Sequence, residues 1–380
     1  MNKKNIDGKK SICLITYIHN KAFIPPLSQL EEILYSVSDK ICSIEGNLDK
    51  LSTNNEDKIQ KFKIVHKQEK YLFLRVLRIF YLQMQMSFKL VQLSKNINLC
   101  IFFTGQWEFL PILTAKLLRK KTIWALPSFY PLIEQYNNNR TFLDKYYIYV
   151  MKLSMYLCDK LIIYSPKLVK EWGLEKYQKK ISFAHHHLVD LNKYAIEKKI
   201  EEREVTVGYF GRLSYEKGIM NFIKSIDKIS KDMKVNFIII GTGDLKDSII
   251  EYVNKNKLNN VKIMGWVDDS EIPKYLNEFK LIVLPSYTEG LPNTMLESIA
   301  CGTPVLGNSV GAIPDVLIDG ETGFIMDNND PITIKDNLVR ALKYPAIDKI
   351  VDNAYDLVKN EFNLETTVKK WESILDYYDK

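Results

Sequence analysis

Short apolar runs separated by longer amphipathic stretches recur from one end of this chain to the other, with one interruption. The first series is SICLITY, ICSI, LCIFF, KTIWAL, KLIIYS and ISFA, and the second is VTVGYF, VNFIII, VKIMGW, LIVLP, TPVLG and GFIM. A strand buried on both faces reads as a nearly continuous apolar run, and its alternation with helices implies a parallel sheet covered by helices. The interruption, NKYAIEKKIEERE at 192–204, is polar and carries no strand pattern. The pattern therefore predicts an α/β protein of two Rossmann-like, doubly wound domains, spanning 1–195 and 196–363. A terminal helix at 364–380 is expected to pack back on the first. Ligands of such sheets bind beyond the carboxyl ends of the strands, and two facing sheets would leave a cleft between them.

Composition narrows the class. With 380 residues, 46% apolar and 26% charged, the chain is neither disordered nor fibrous. No run of 18 apolar residues occurs, which argues against a spanning helix. MNKKNIDGKK has no apolar signal-peptide core, and the five cysteines (13, 42, 100, 158, 301) show no metal or disulfide spacing. Reduced thiols in a cytoplasmic protein are the expectation. Charge is unevenly placed. Residues 1–200 hold 32 Lys/Arg against 17 Asp/Glu, a net +15, and residues 201–380 hold 21 against 29, a net −8. A basic first half can serve an anionic membrane surface. No nucleic-acid-binding motif accompanies it.

Two loops carry the chemistry. After VTVGYF comes Gly211-Arg212-Leu213-Ser214-Tyr215-Glu216-Lys217-Gly218, then the helical pattern IMNFIKSI. Glycines at a strand end let amides approach a phosphate, and Arg212 with Lys217 makes a cation pair suited to a diphosphate. The second loop lies in LIVLPSYTEGLPNTMLESIACG at 281–302. Pro292 stands before a helix that Asn293 or Thr294 can cap, leaving free amides at its positive end. Glu289 and Glu297 are poor phosphate ligands but good acceptors for sugar and ribose hydroxyls.

In this order and spacing, GRLSYEKG, GTGDL, GWVDDSEI, LPSYTEGLPNTMLESIACGTPV and GAIPDVLIDGETGF resemble the retaining glycosyltransferases of family 4, with the GT-B fold. The match is close over 203–330 and rests on alternation alone before that. The resemblance implies an N-terminal acceptor domain and a C-terminal nucleotide-sugar domain. It implies that Arg212 and Lys217 hold the donor pyrophosphate and that Glu297 takes the ribose. Glu289 would take the transferred sugar, making Arg212, Lys217 and Glu289 the catalytic set. Gly211 belongs to the phosphate loop, and amides of Gly290, Leu291, Asn293 and Thr294 would grip sugar and distal phosphate. Gly265, Trp266 and Val267 would hold the base. No metal or cofactor is implied beyond the donor, a UDP-sugar ahead of a GDP-sugar. The acceptor would be a glycan or lipid-linked glycan in cell-surface polysaccharide assembly.

The loop Tyr17-Ile18-His19-Asn20-Lys21 replaces the family's glycine pair, and His19 is the acceptor-side candidate. His185-His186-His187 makes a weak metal site, because neighbours in an extended segment point opposite ways. Segment 71–93 is apolar with Arg75, Arg78 and Lys89 interspersed, so it either packs as a helix or lies on a membrane. The other basic candidates for a membrane face are Arg119, Lys120 and Lys121. A nucleotide-sugar epimerase and a non-catalytic sugar- or nucleotide-binding module remain alternatives to transfer.

Overall fold

The computed structural model describes residues 10–18, 23–48, 59–66, 72–103, 108–127, 142–229 and 233–376. Two compact units divide the chain. The first runs to Leu188 and includes the C-terminal segment from Leu364, and the second contains Val189–Asn363.

The first unit is built on a parallel sheet of β1 (Ser11–Ile18), β2 (Lys40–Leu48), β3 (Gln60–His66), β4 (Leu99–Phe103), β5 (Lys121–Ala125), β6 (Lys160–Ile163) and β7 (Ile181–Phe183). Its order is β3-β2-β1-β4-β5-β6-β7. Among the described residues the helices are α1 (Ile24–Val37), α2 (Leu72–Leu93), α3 (Phe109–Leu117), α4 (Phe142–Leu157) and α5 (Pro166–Glu171). β1 and β4 form the core with exposure near zero, as their unbroken apolar sequences require.

The second unit holds β8 (Thr206–Phe210), β9 (Asn236–Ile240), β10 (Val261–Gly265), β11 (Leu281–Leu284), β12 (Val305–Asn308) and β13 (Phe324–Met326), all parallel, in the order β10-β9-β8-β11-β12-β13. Its helices include α6 (Ile219–Ile229), α7 (Lys246–Lys255), α8 (Ile272–Glu278), α9 (Asn293–Ala300), α10 (Ile313–Val316), α11 (Pro331–Leu342) and α12 (Ile347–Glu361). The winding direction reverses between β8 and β11. That is the switch point where open α/β sheets take their ligands.

Segment 192–204 is tied to the second unit. Buried Arg203 donates to the carbonyls of Leu276, Phe279 and Cys301, and Asn277 Oδ1 accepts from the amide of Glu197 at 2.8 Å. The last helix, α13 (Leu364–Asp376), packs on α1, with Trp371 Nε1 donating to His185 O at 2.8 Å.

All twelve apolar runs are strands. The alternation pattern omits β3, an edge strand whose sequence QKFKIVH interleaves charge with apolar residues. On that strand Lys61 places its ammonium 2.7 Å from Glu31 of α1 and 3.5 Å from Glu45 of β2, all three side chains being buried. The five cysteines are free and buried. The histidine triplet does not alternate in direction: the His186 and His187 rings stack with centroids 4.3 Å apart, and His186 Nδ1 meets the Tyr164 hydroxyl at 2.8 Å. Local packing around these rings overrides simple strand alternation. Among the described residues no cluster could hold a metal ion.

Candidate functional site

The loop after β8 and the loop after β11 leave neighbouring strands at the switch point, and the chain brings them into direct contact. Gly218 makes this approach possible. Its φ of 65° suits glycine, and a Cβ there would stand 1.9 Å from the carbonyl oxygen of Pro285. Two further contacts lock the loops together: Tyr287 N donates to Glu216 O at 2.9 Å, and the Tyr215 and Tyr287 rings stack at 5.3 Å. Gly311 (φ 60°) closes the far side, where a Cβ would lie 2.3 Å from Glu289 O.

This fit joins two residues 72 positions apart. Lys217 Nζ lies 2.6 Å from Glu289 Oε1, and the same oxygen accepts from Ser286 Oγ at 2.7 Å. The two cations differ in whether they face open solvent. Arg212 does, with 66% of its side chain exposed and Glu216 at 3.3 Å, but Lys217 is 24% exposed and held by Glu289. The loop offers side chains more than amides. The N–H groups of Gly211, Leu213, Lys217 and Gly218 already donate to Ile240, Thr242, Ser214 and Tyr215.

Free amides come instead from the second loop. Neither Asn293 nor Thr294 caps α9: Pro292 occupies the N-cap with extended backbone, and no side chain accepts there. Proline's fixed φ starts the helix one position ahead of the expected cap, which puts Asn293 inside the first turn. Met295 N donates to Pro292 O, whereas the amides of Gly290, Leu291, Asn293 and Thr294 meet no acceptor among the described residues. Unsatisfied amides at a helix N-terminus, with the helix dipole behind them, favour an anion.

Glu297 stands one turn further along α9. Burial pushes its carboxyl up to about 7, against the pull of a hydrogen bond from the Tyr194 hydroxyl. Tyr194 is a site residue that motif reading misses. It is delivered by a turn in which Asp190 accepts from the amides of Asn192 and Lys193, and Tyr194 N donates to Asp190 O. An Asp followed four residues later by Tyr was the only available signal. At the end of β10, Gly265 O accepts from Gly241 N at 2.7 Å, and Trp266 is 73% exposed, leaving an aromatic face open beside Val267. His19 lies outside the described residues. The arrangement thus gathers two cations, an uncapped helix terminus and two carboxylates in one unit, a set that fits a phosphate carrying hydroxylated rings.

Two parallel-sheet α/β units of this kind define the GT-B class. Residues 192–356, all within the second unit, match the family described as glycosyl transferases group 1. An uncharacterised 41.2 kDa protein in the cps region of Klebsiella pneumoniae is 28% identical over 49% of this chain and 52% of its own length. The capsular polysaccharide biosynthesis glycosyltransferase CapM of Staphylococcus aureus is 26% identical over 62% of this chain and 67% of its own. Among solved structures, Anabaena HepE in complex with UDP aligns with a TM-score of 0.74 at 16% identity, over 97% of this chain and 100% of that one. The chain spans about half the length of the first curated relatives it matches, 47% to 58%.

Proposed function

We propose that this chain is a retaining, metal-independent glycosyltransferase. It moves a sugar from a nucleotide diphosphate sugar, UDP-linked in preference to GDP-linked, to a hydroxyl of a glycan or lipid-linked glycan in surface polysaccharide assembly. The observation that carries this reading is the Lys217–Glu289–Ser286 cluster set beside the uncapped start of α9. A relative named for capsular polysaccharide biosynthesis, and a structural neighbour in complex with UDP, support it.

In this reading the diphosphate sits on the free amides of Gly290, Leu291, Asn293 and Thr294 and between Arg212 and Lys217. Negative charge grows on it as the glycosidic bond breaks, and preorganised cations and a helix terminus stabilise that charge without reorganising. Glu289 does two things. Its paired oxygen aims Lys217 at the phosphate, and the carboxylate accepts from hydroxyls of the departing sugar. Glu297 and Tyr194 hold the ribose, and Trp266 covers the base. The acceptor hydroxyl attacks from the leaving-group face, giving its proton to the departing phosphate, so the anomeric configuration is kept. Neither glutamate acts as the acid or nucleophile of a glycosidase pair.

Purified protein supplied with UDP-sugars and oligosaccharide acceptors tests this. The product linkage read by NMR should be α when the donor is α. A β-linked product would overturn retention, and a rearranged free sugar without transfer would replace transfer by epimerisation.

A further inference from the structure

Helix α2 is apolar on two opposite faces. Leu82, Met86 and Leu90 recur at helical spacing and are buried, forming the seam that packs on the first unit. At 100° per residue, Leu77, Phe80, Tyr81, Met84, Phe88 and Val91 fall on the opposite side, and all are exposed, Phe88 by 65% and Tyr81 by 63%. A surface helix of a globular domain normally turns a polar face outward. Large exposed apolar patches mark interaction sites.

Charge says what covers this one. Residues 72–95 contain Arg75, Arg78, Lys89 and Lys95 and no Asp or Glu. Arg78 and Lys89 are eleven positions apart, which returns them to nearly the same flank of the helix, bordering the apolar stripe. The Lys89 ammonium rests over the Phe62 ring at 3.8 Å, its stem lying on apolar surface with the charge at the rim. The adjoining strand β3 adds Lys63 and no acid. A second copy packed face to face through α2 would set the cations of 72–95 against the same cations, with no acid in either helix to pair them. No helix among the described residues is long and apolar enough to cross a membrane.

We propose that the outer face of α2 docks on the surface of an anionic phospholipid bilayer, with the apolar stripe in the headgroup region and the basic flank against lipid phosphates. This stands independently of the donor reading, since no α2 residue belongs to that site. Docking would hold the first unit at the place where a lipid-linked acceptor resides.

Co-sedimentation with vesicles tests the proposal. The whole protein should pellet with phosphatidylcholine–phosphatidylglycerol vesicles at low salt and far less with phosphatidylcholine alone. Added salt should weaken capture as the screening length falls below about 8 Å. Each cation near an anionic surface raises partition about fivefold, so Arg78→Glu with Lys89→Glu should lower it at least about 25-fold. Phe80→Ser with Phe88→Ser should lower it by about tenfold or more. Both variants replace residues outside the buried seam, and circular dichroism checks that each keeps the parent's fold. Capture that is equal on neutral vesicles, or unchanged in both variants, overturns the proposal. So does a protein dimer in sedimentation velocity that the Phe variant dissociates and vesicles fail to bind.

Discussion

Each unit of this protein contains a lysine clasped by glutamate, and the two clusters sit in different surroundings. In the first unit Lys61 lies between Glu31 and Glu45 with 4%, 0% and 0% of the side chains exposed. In the second, Lys217 and Glu289 keep 24% and 8%. The first joins strands β2 and β3 to helix α1, with all three side chains closed off from solvent. The second sits at the switch point beside unsatisfied amides, where an incoming anion can share the ammonium. Similar pair chemistry is structural when sealed and available for binding when one edge stays open.

The sharpest way to break this comparison is to remove each lysine. Lys61→Ala leaves two carboxylates facing one another in the core and should cost about 3–5 kcal/mol of unfolding free energy, read by denaturant titration. Lys217→Ala should cost only about 1 kcal/mol. Its effect should fall on catalysis instead, a loss of about 2–4 kcal/mol in transition-state stabilisation, or roughly 30- to 1,000-fold in transfer rate. A destabilised Lys217 variant with normal turnover per folded molecule would reverse the contrast.

A smaller effect comes from Glu297. Its carboxyl is raised to about 7 by burial, with Asp269 adding to the rise and Tyr194 and Lys193 opposing it. The native state therefore holds a proton that the unfolded chain has released. Stability from this group is full below about pH 4.5 and is lost as pH rises to about 7. Glu297→Gln should remove that slope, gaining on the order of 2 kcal/mol relative to the parent between pH 5 and pH 8. Parallel stability–pH curves for the two proteins would contradict the assignment.

The sheets were legible because strands buried on both faces announce themselves as apolar runs. β3 was not, since its lysines serve the Glu31–Glu45 cluster and the sheet edge. In the site, Arg212, Lys217, Glu289 and Glu297 could each be picked out by residue type and neighbouring glycines. Their pairing could not, because it depends on Gly218 lying against Pro285, a contact between loops far apart in sequence. The cap of α9 was misread for a local reason: Pro292 takes the N-cap, so Asn293 becomes the first helical residue. Tyr194 stayed hidden in a segment that resembles a linker. Helix α2 packs one apolar face on the first unit and exposes the other.

Hydrogen–deuterium exchange with and without UDP tests the central claim most directly, because it reports where the ligand sits without altering the protein. The amides of 290–297 and the peptide spanning Gly211–Gly218 should gain protection, while α2 and the β3 edge exchange unchanged. UDP binding that leaves 290–297 unprotected, or protects the first unit alone, would contradict the account.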